Sequence, residues 1–226
     1  MKLSSLLFAV LGCLALNSRA VEFSVGAEVA PLVVWADNCV WLLFCSLGDQ
    51  GGHGNGYGFR VGLVLPHDDA GKTSMASKTS LEIGYDKLGS ISGSTVYSLS
   101  PGCIILCPAA TSVWKHDASI AHVSLLGYLP WNDRKEHGAV IGRIGLYRSS
   151  TISNGDYGTG AGAYSSTVSG AGLLLGAGYA VSLARHLSAR AAADIFFKVK
   201  VTDPITVGDT IPETLVKFAL GVDYTF

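Results

Sequence analysis

Ten charged residues share a placement that bears on chemistry. Glu28, Arg60, Glu82, Asp86, Arg143, Arg190, Asp194, Lys198, Lys217 and Asp223 each lie on one parity of a stretch whose other parity is apolar. In extended chain that arrangement puts charges of both signs on one face. A charge taken out of water alone costs several kcal/mol, so such a face calls for an ion-pair network. The same residues would serve a narrow ion path or a switchable plug, but a structural network filling an interior is the preferred reading. A second constellation is His122-Val123-Ser124. Two residues apart on a strand, His122 and Ser124 share a face, as a general base and its nucleophile must. Glu82, or Glu136 in the turn that follows, would orient the imidazole; the simpler reading is polar filling. The other histidines show no metal-ligand spacing such as His-Glu-x-x-His. Gly158 to Gly162 (GTGAG) lacks the strand-to-helix setting of a phosphate loop. No metal and no cofactor is expected.

These side chains need elements with period-two geometry, and the C-terminal stretch LVKFALGVDYTF supplies the template. Val216, Phe218, Leu220, Val222, Tyr224 and Phe226 alternate with Lys217, Ala219, Gly221, Asp223 and Thr225. Only a strand sorts these sets onto opposite faces. Apolar and aromatic outside, charged and small inside, is the pattern of a strand in a membrane-spanning barrel. The alternation recurs from Phe23 to Val29, Tyr57 to Leu65, Leu81 to Tyr85, Val113 to Leu129, Val140 to Tyr147, Leu173 to Leu183 and Leu187 to Val201. The stretch 113–129 is the least regular, and odd residues outward is preferred there. The count is eight strands: an all-β, antiparallel, up-and-down transmembrane barrel. Long connections alternate with shorter ones, and both termini fall on the shorter, periplasmic side. Trp114, Tyr128, Trp131, Tyr57, Tyr85, Tyr147, Tyr224 and Phe226 fall near strand ends and fit interface belts.

The chain has 226 residues, 28 glycines, 15 % charged residues and a net charge of −1, so nothing points to nucleic acid. Residues 1–20 read as a secretory signal, with Lys2, an apolar run from Leu6 to Leu16, and small residues before a cut at Val21. Val10-Leu11-Gly12-Cys13 offers a rival lipoprotein box. Either way the chain is exported, and the barrel domain is expected over 21–226. Export makes Cys39, Cys45, Cys103 and Cys107 oxidisable. Local disulfides, Cys39 to Cys45 and Cys103 to Cys107, are the first expectation; cross-bridging and a four-thiolate zinc site are the others. A soluble lipocalin-like barrel would reverse the polarity of the two faces. A helical span through GLLLG (172–176) lacks a continuous apolar run of about 20 residues.

Two segments, GAGLLLGAGYAVSLARHLSARAAAD (170–194) and LVKFALGVDYTF, resemble the OmpA-like eight-stranded outer-membrane barrels. The rest matches in strand pattern only, and the cysteine-bearing segments depart from that family. The resemblance implies residence in the bacterial outer membrane, surrounded by outer-membrane lipid. It also implies delivery by periplasmic chaperones and a terminal signal, Tyr224 and Phe226, read by the barrel-assembly machinery. His122 and Ser124 resemble, more distantly, the arrangement in outer-membrane lipid A deacylases. The expected role is non-enzymatic, structural or in surface interaction through extracellular loops. The alternatives are a lipid A-modifying hydrolase and a soluble ligand-binding barrel. An eight-stranded barrel is too narrow for general porin activity.

Overall fold

The computed structural model describes residues 22–36, 38–39, 45–46, 53–65, 78–98, 109–130, 138–156, 162–202 and 209–226. Residues 1–20, read above as a secretory signal, and Cys103, Cys107, Trp131 and Glu136 lie outside the described residues. Alternation of the kind described above builds eight barrel strands: β1 (Glu22–Ala36), β2 (His53–Leu65), β3 (Thr79–Ser98), β4 (Ala109–Pro130), β5 (Gly138–Asp156), β6 (Ala163–Ala184), β7 (Leu187–Thr202) and β8 (Thr210–Thr225). Each strand pairs antiparallel with its neighbours in sequence, and β1 pairs with β8 to close the barrel. The fold class expected from the sequence is the one observed. A separate ribbon pairs Asn38–Cys39 with Cys45–Ser46.

The register fixes the barrel's dimensions. Following Cα partners from Ala180 on β6 leads through Arg190, Gly221, Glu28, Gly58, Asp86, Ile120 and Ser149 to Gly170, again on β6. The offset, 180 − 170, is a shear of ten residues. With ordinary strand spacing that shear tilts the strands by about 40°, so each residue rises about 2.5 Å along the axis. Such a barrel has room inside for side chains only.

At the end where β1 begins and β8 ends, β6 and β7 are joined by the tight turn Arg185–His186. There the chain end is clasped: Phe226 N donates to Phe23 O at 2.8 Å, and Thr225 N to His186 O at 2.9 Å. We call this the turn end. The outer wall is apolar on every strand, with Phe23, Phe59, Ile83, Leu125, Ile144, Leu146, Leu220 and Val222 among its exposed residues. As expected, odd residues of β4 face out, while Trp114, His116, His122, Ser124 and Leu126 face in.

The alternation is broken in three places, and this corrects part of the sequence reading. The register shifts between Val29 and Leu32 on β1, Leu88 and Ile91 on β3, and across Phe197–Lys198 on β7. Each is a one-residue insertion that inverts the facing of all that follows on its strand. At the last of them Lys198 has φ 64°, a left-handed conformation uncommon outside glycine. The alternation predicts Lys198 in the interior; it is exposed instead, as is Lys200. In exchange Val199 and Val201, expected outside, are fully buried inside.

Strand lengths also depart from expectation. The Ser/Gly segments read as loops, 89–110 and 149–166, contribute to β3, β4, β5 and β6. Those four strands have 20, 22, 19 and 22 residues, against 15, 13, 16 and 16 for β1, β2, β7 and β8. A spanning strand needs only about ten. The surplus is polar because it stands above the apolar band, at the far end.

Candidate functional site in the barrel interior

Nine of the ten charges predicted for the interior meet in one network; Lys198 is the exception. Glu28 is the hub: Arg60 Nη1 and Lys217 Nζ both donate to it, and Arg190 Nη2 lies 3.4 Å from its Oε2. Arg60 also grips Asp223 through Nε at 2.8 Å and Nη2 at 3.1 Å, a bidentate pair. Lys217 Nζ reaches Asp86 at 3.0 Å and Asp194 at 3.2 Å. Arg143 bridges Asp194 at 2.7 Å and Glu82 at 3.0 Å, and Arg190 completes the circuit to Glu82 at 3.3 Å. Each cation therefore has at least two carboxylates, which offsets the desolvation of both partners. Four fixed cations face five carboxylates.

Glycines make the room. A Cβ on Gly58 would collide with the Asp86 carboxylate and approach Glu28 Cγ to 3.1 Å, and one on Gly176 would strike Asp194. One on Gly26 would strike Asp223 and come within 2.8 Å of Arg60 Nε. Gly58→Val is therefore expected to lower stability by about 1–3 kcal/mol. Equilibrium unfolding in urea measures it, and a shift under 0.5 kcal/mol (roughly the scale of a surface substitution) would show that the network yields freely.

Toward the far end a second, apolar layer fills the interior. Trp35, Leu88, Ile91, Ile120, Leu174, Phe196, Val199, Val201 and Leu215 are buried there, and Tyr147 is held by a hydrogen bond to Phe197 O at 2.5 Å. Lys217 Nζ lies 5.7 Å from the Phe196 ring centre, at the join of the two layers. Above it His116 stacks on Trp114 at 4.6 Å, meets Trp35 edge-on at 5.6 Å, and bonds Ser153 Oγ at 2.9 Å. Trp114 and Tyr147 thus face inward rather than joining an interface belt. Tyr57, Tyr85, Tyr224 and Phe226 face outward as expected. The described interior thus holds an ion-pair network and, toward the far end, an apolar layer.

No protein-family model and no curated protein matches the chain. Among solved structures, it is similar to the outer membrane protease OmpT from Escherichia coli, at 10% identity and TM-score 0.51, covering 93% of this chain and 99% of that one. It is also similar to a major outer membrane protein from Thermus thermophilus, at 16% identity and TM-score 0.47, covering 92% and 100%. A third is Ail, the attachment invasion locus protein of Yersinia pestis, at 13% identity and TM-score 0.45, covering 91% and 99%. The fold is that of an outer-membrane barrel. At these identities the likeness extends to architecture alone.

Within that barrel His122 and Ser124 are both buried, and Ser124 Oγ and His122 Nδ1 have no hydrogen-bond partner. His122 Nε2 lies 3.5 Å from Asp86, not on the serine. Glu82, one residue proposed to orient the histidine, is engaged by Arg143 and Arg190 instead. The pair shares a face as the spacing required, but it is not assembled as nucleophile and base. Sequence reasoning named no apolar layer: Leu174 and Phe196 fall on the charged parity of their strands, but Val33, Trp35, Ile91, Val199 and Val201 follow register shifts and carry the lipid-facing parity.

Proposed function

We propose that this protein is a non-enzymatic barrel of the bacterial outer membrane, acting as a structural element and through the segments at its far end. The observation that carries this reading is the filled interior: an ion-pair network below and an apolar layer above. Solute passage would have to break both. The far end is read as extracellular because the long polar strand extensions all point that way, while the start of β1, the end of β8 and the tight turn Arg185–His186 lie opposite. Tyr224 and Phe226, exposed on the outer wall at the turn end, suit recognition by assembly machinery after periplasmic chaperones have delivered the chain.

Heat-modifiability and conductance together test the reading. In mild detergent the unboiled protein is expected to migrate apart from the boiled form, and in planar bilayers to give no steady pore current. A sustained current would overturn the filled interior; solubility in plain buffer would overturn the membrane reading. The ribbon adds a second expectation. Cys39 stands opposite Cys45 across an antiparallel pair, a Cα separation of about 4.5–5.5 Å that a disulfide spans. Peptide mapping without reductant is expected to recover 39 linked to 45; a link from either to Cys103 or Cys107 would reverse that pairing.

A further inference from the structure

The far ends of β7 and β8 leave the barrel wall. β6 and β7 pair as far as Leu174 and Phe196, and β1 and β8 as far as Ala36 and Thr214. Among the described residues neither pairing continues beyond those points. What remains is a two-stranded tip, with Val199, Lys200, Val201 and Thr202 of β7 opposite Glu213, Pro212, Ile211 and Thr210 of β8. Both strands are irregular at its base: β7 carries the bulge at Phe197–Lys198, and the pairing skips Thr214 opposite. A two-stranded ribbon is marginal by itself, so its position depends on what it lies against.

The tip lies on the inner face of β5 and β6. Tyr147, Ser149 and Ser153 of β5 stand opposite Gly172, Gly170 and Ser166 of β6, all on the inward parity. A Cβ on Gly172 would strike Phe197 O, and one on Gly170 would lie 3.4 Å from Lys200 N. The two glycines thus leave the space that the tip occupies. Tyr147 OH donates to Phe197 O at 2.5 Å and pins the base. At the other end Thr202 N donates to Ser153 Oγ at 3.3 Å, and the hydroxyls of Thr202 and Ser166 bond to each other. Val199 and Val201 are buried by this docking, and so are Ser149 and Thr151 of β5. The hydroxyls of Ser149 and Thr151 have no hydrogen-bond partner. Uncovering them returns two polar groups to water, which offsets part of the cost of lifting the tip.

We propose that this tip is a hinged flap over the apolar layer, swinging as one unit about Phe197–Lys198 and Thr214 and latched by Thr202. Asp194 and Lys217 lie below the hinge, so the ion-pair network stays in place. Opening therefore gives a blind recess rather than a pore. The test is the reactivity of single cysteines toward a water-soluble maleimide, in the folded barrel in mild detergent and net of the wild-type reaction. Val201→Cys reports on the flap, Thr151→Cys on the strand beneath it, and Ala219→Cys on the level of the network; all three sites are at most 5% exposed. One opening uncovers the first two together. They are expected to react at comparable rates, about tenfold or more faster than Ala219→Cys. Ser153→Ala/Ser166→Ala removes both bonds of Thr202 and is expected to speed the first two roughly tenfold, leaving the third unchanged. Thr202→Val, which loses only the hydroxyl bond, is the milder variant, with about a fivefold acceleration expected. Val201→Cys as slow as Ala219→Cys would show a fixed cover. Val201→Cys fast with Thr151→Cys slow would show β7 fraying alone, and acceleration of all three would show global unfolding. Each of these results overturns the flap.

Discussion

Lys217→Met is expected to be the most damaging single substitution in the barrel, lowering stability by about 3–5 kcal/mol. The methionine fits the volume and suits the neighbouring Phe196, so packing is not the cause. The damage is electrostatic. Lys217 is 1% exposed and is the cation shared by Glu28, Asp86 and Asp194. Without it, five carboxylates face three cations, and Asp86 loses its lysine partner. The expected result is a large fall in the urea midpoint, with little folded band on an unheated gel. Adding Asp86→Asn should recover part of the loss, because it removes the carboxylate left unpaired. A single-variant loss below about 1 kcal/mol, in the range of exposed pairs, would mean that water reaches the network, and the filled interior would fall with it.

Deleting Lys198 is expected to do comparable harm for a different reason. The residue is the insertion that inverts the end of β7, and removing it slides Lys200 to the inner face and Val199 and Val201 to the outer one. Lys200 would then enter the layer around Trp35 and Leu215, where an unpaired ammonium costs several kcal/mol. The readout is positional. In the otherwise native chain, Lys200→Cys should react quickly with a water-soluble maleimide and Val199→Cys slowly; in the deletion variant the order should reverse or the barrel should not fold. Lys198→Gly serves as the control, since it keeps the insertion, accepts φ 64° without strain, and should be neutral or stabilising by up to about 1 kcal/mol. Unchanged labelling in the deletion variant would show that the bulge does not set the facing.

The contrast between these two lysines shows where the sequence could be read and where it could not. Lys217 lies in an unbroken alternation, so its face follows from its neighbours, and the same holds for Glu28, Arg60, Glu82, Asp86, Arg143, Arg190, Asp194 and Asp223. Lys198 is part of a bulge. Alternation carries no mark of a one-residue insertion, because the pattern on either side is equally regular. Val33, Trp35 and Ile91 escape for the same reason: each follows a register shift and is buried in the interior. The Ser/Thr/Gly extensions of β3 to β6 read as loops because apolar alternation is required only where one face meets lipid. The fold rests on many repetitions of one pattern and survives these errors. The interior depends on the parity of single strands and does not.

The unequal strand lengths make the far rim oblique. β3 to β6 outrun the other four strands by about six residues on average, or about 15 Å along the axis. The molecule therefore resembles a lectern, with a tall back of four strands and a low front of the other four. With the far end extracellular, as proposed, a saccharide layer of that depth would cover the ends of the four short strands while the long ones emerge. A large visitor would meet the barrel from one side, so encounter would depend on the azimuth of approach as well as on distance. Among the described residues, those of β3 beyond Ser92 have no registered partner on β2.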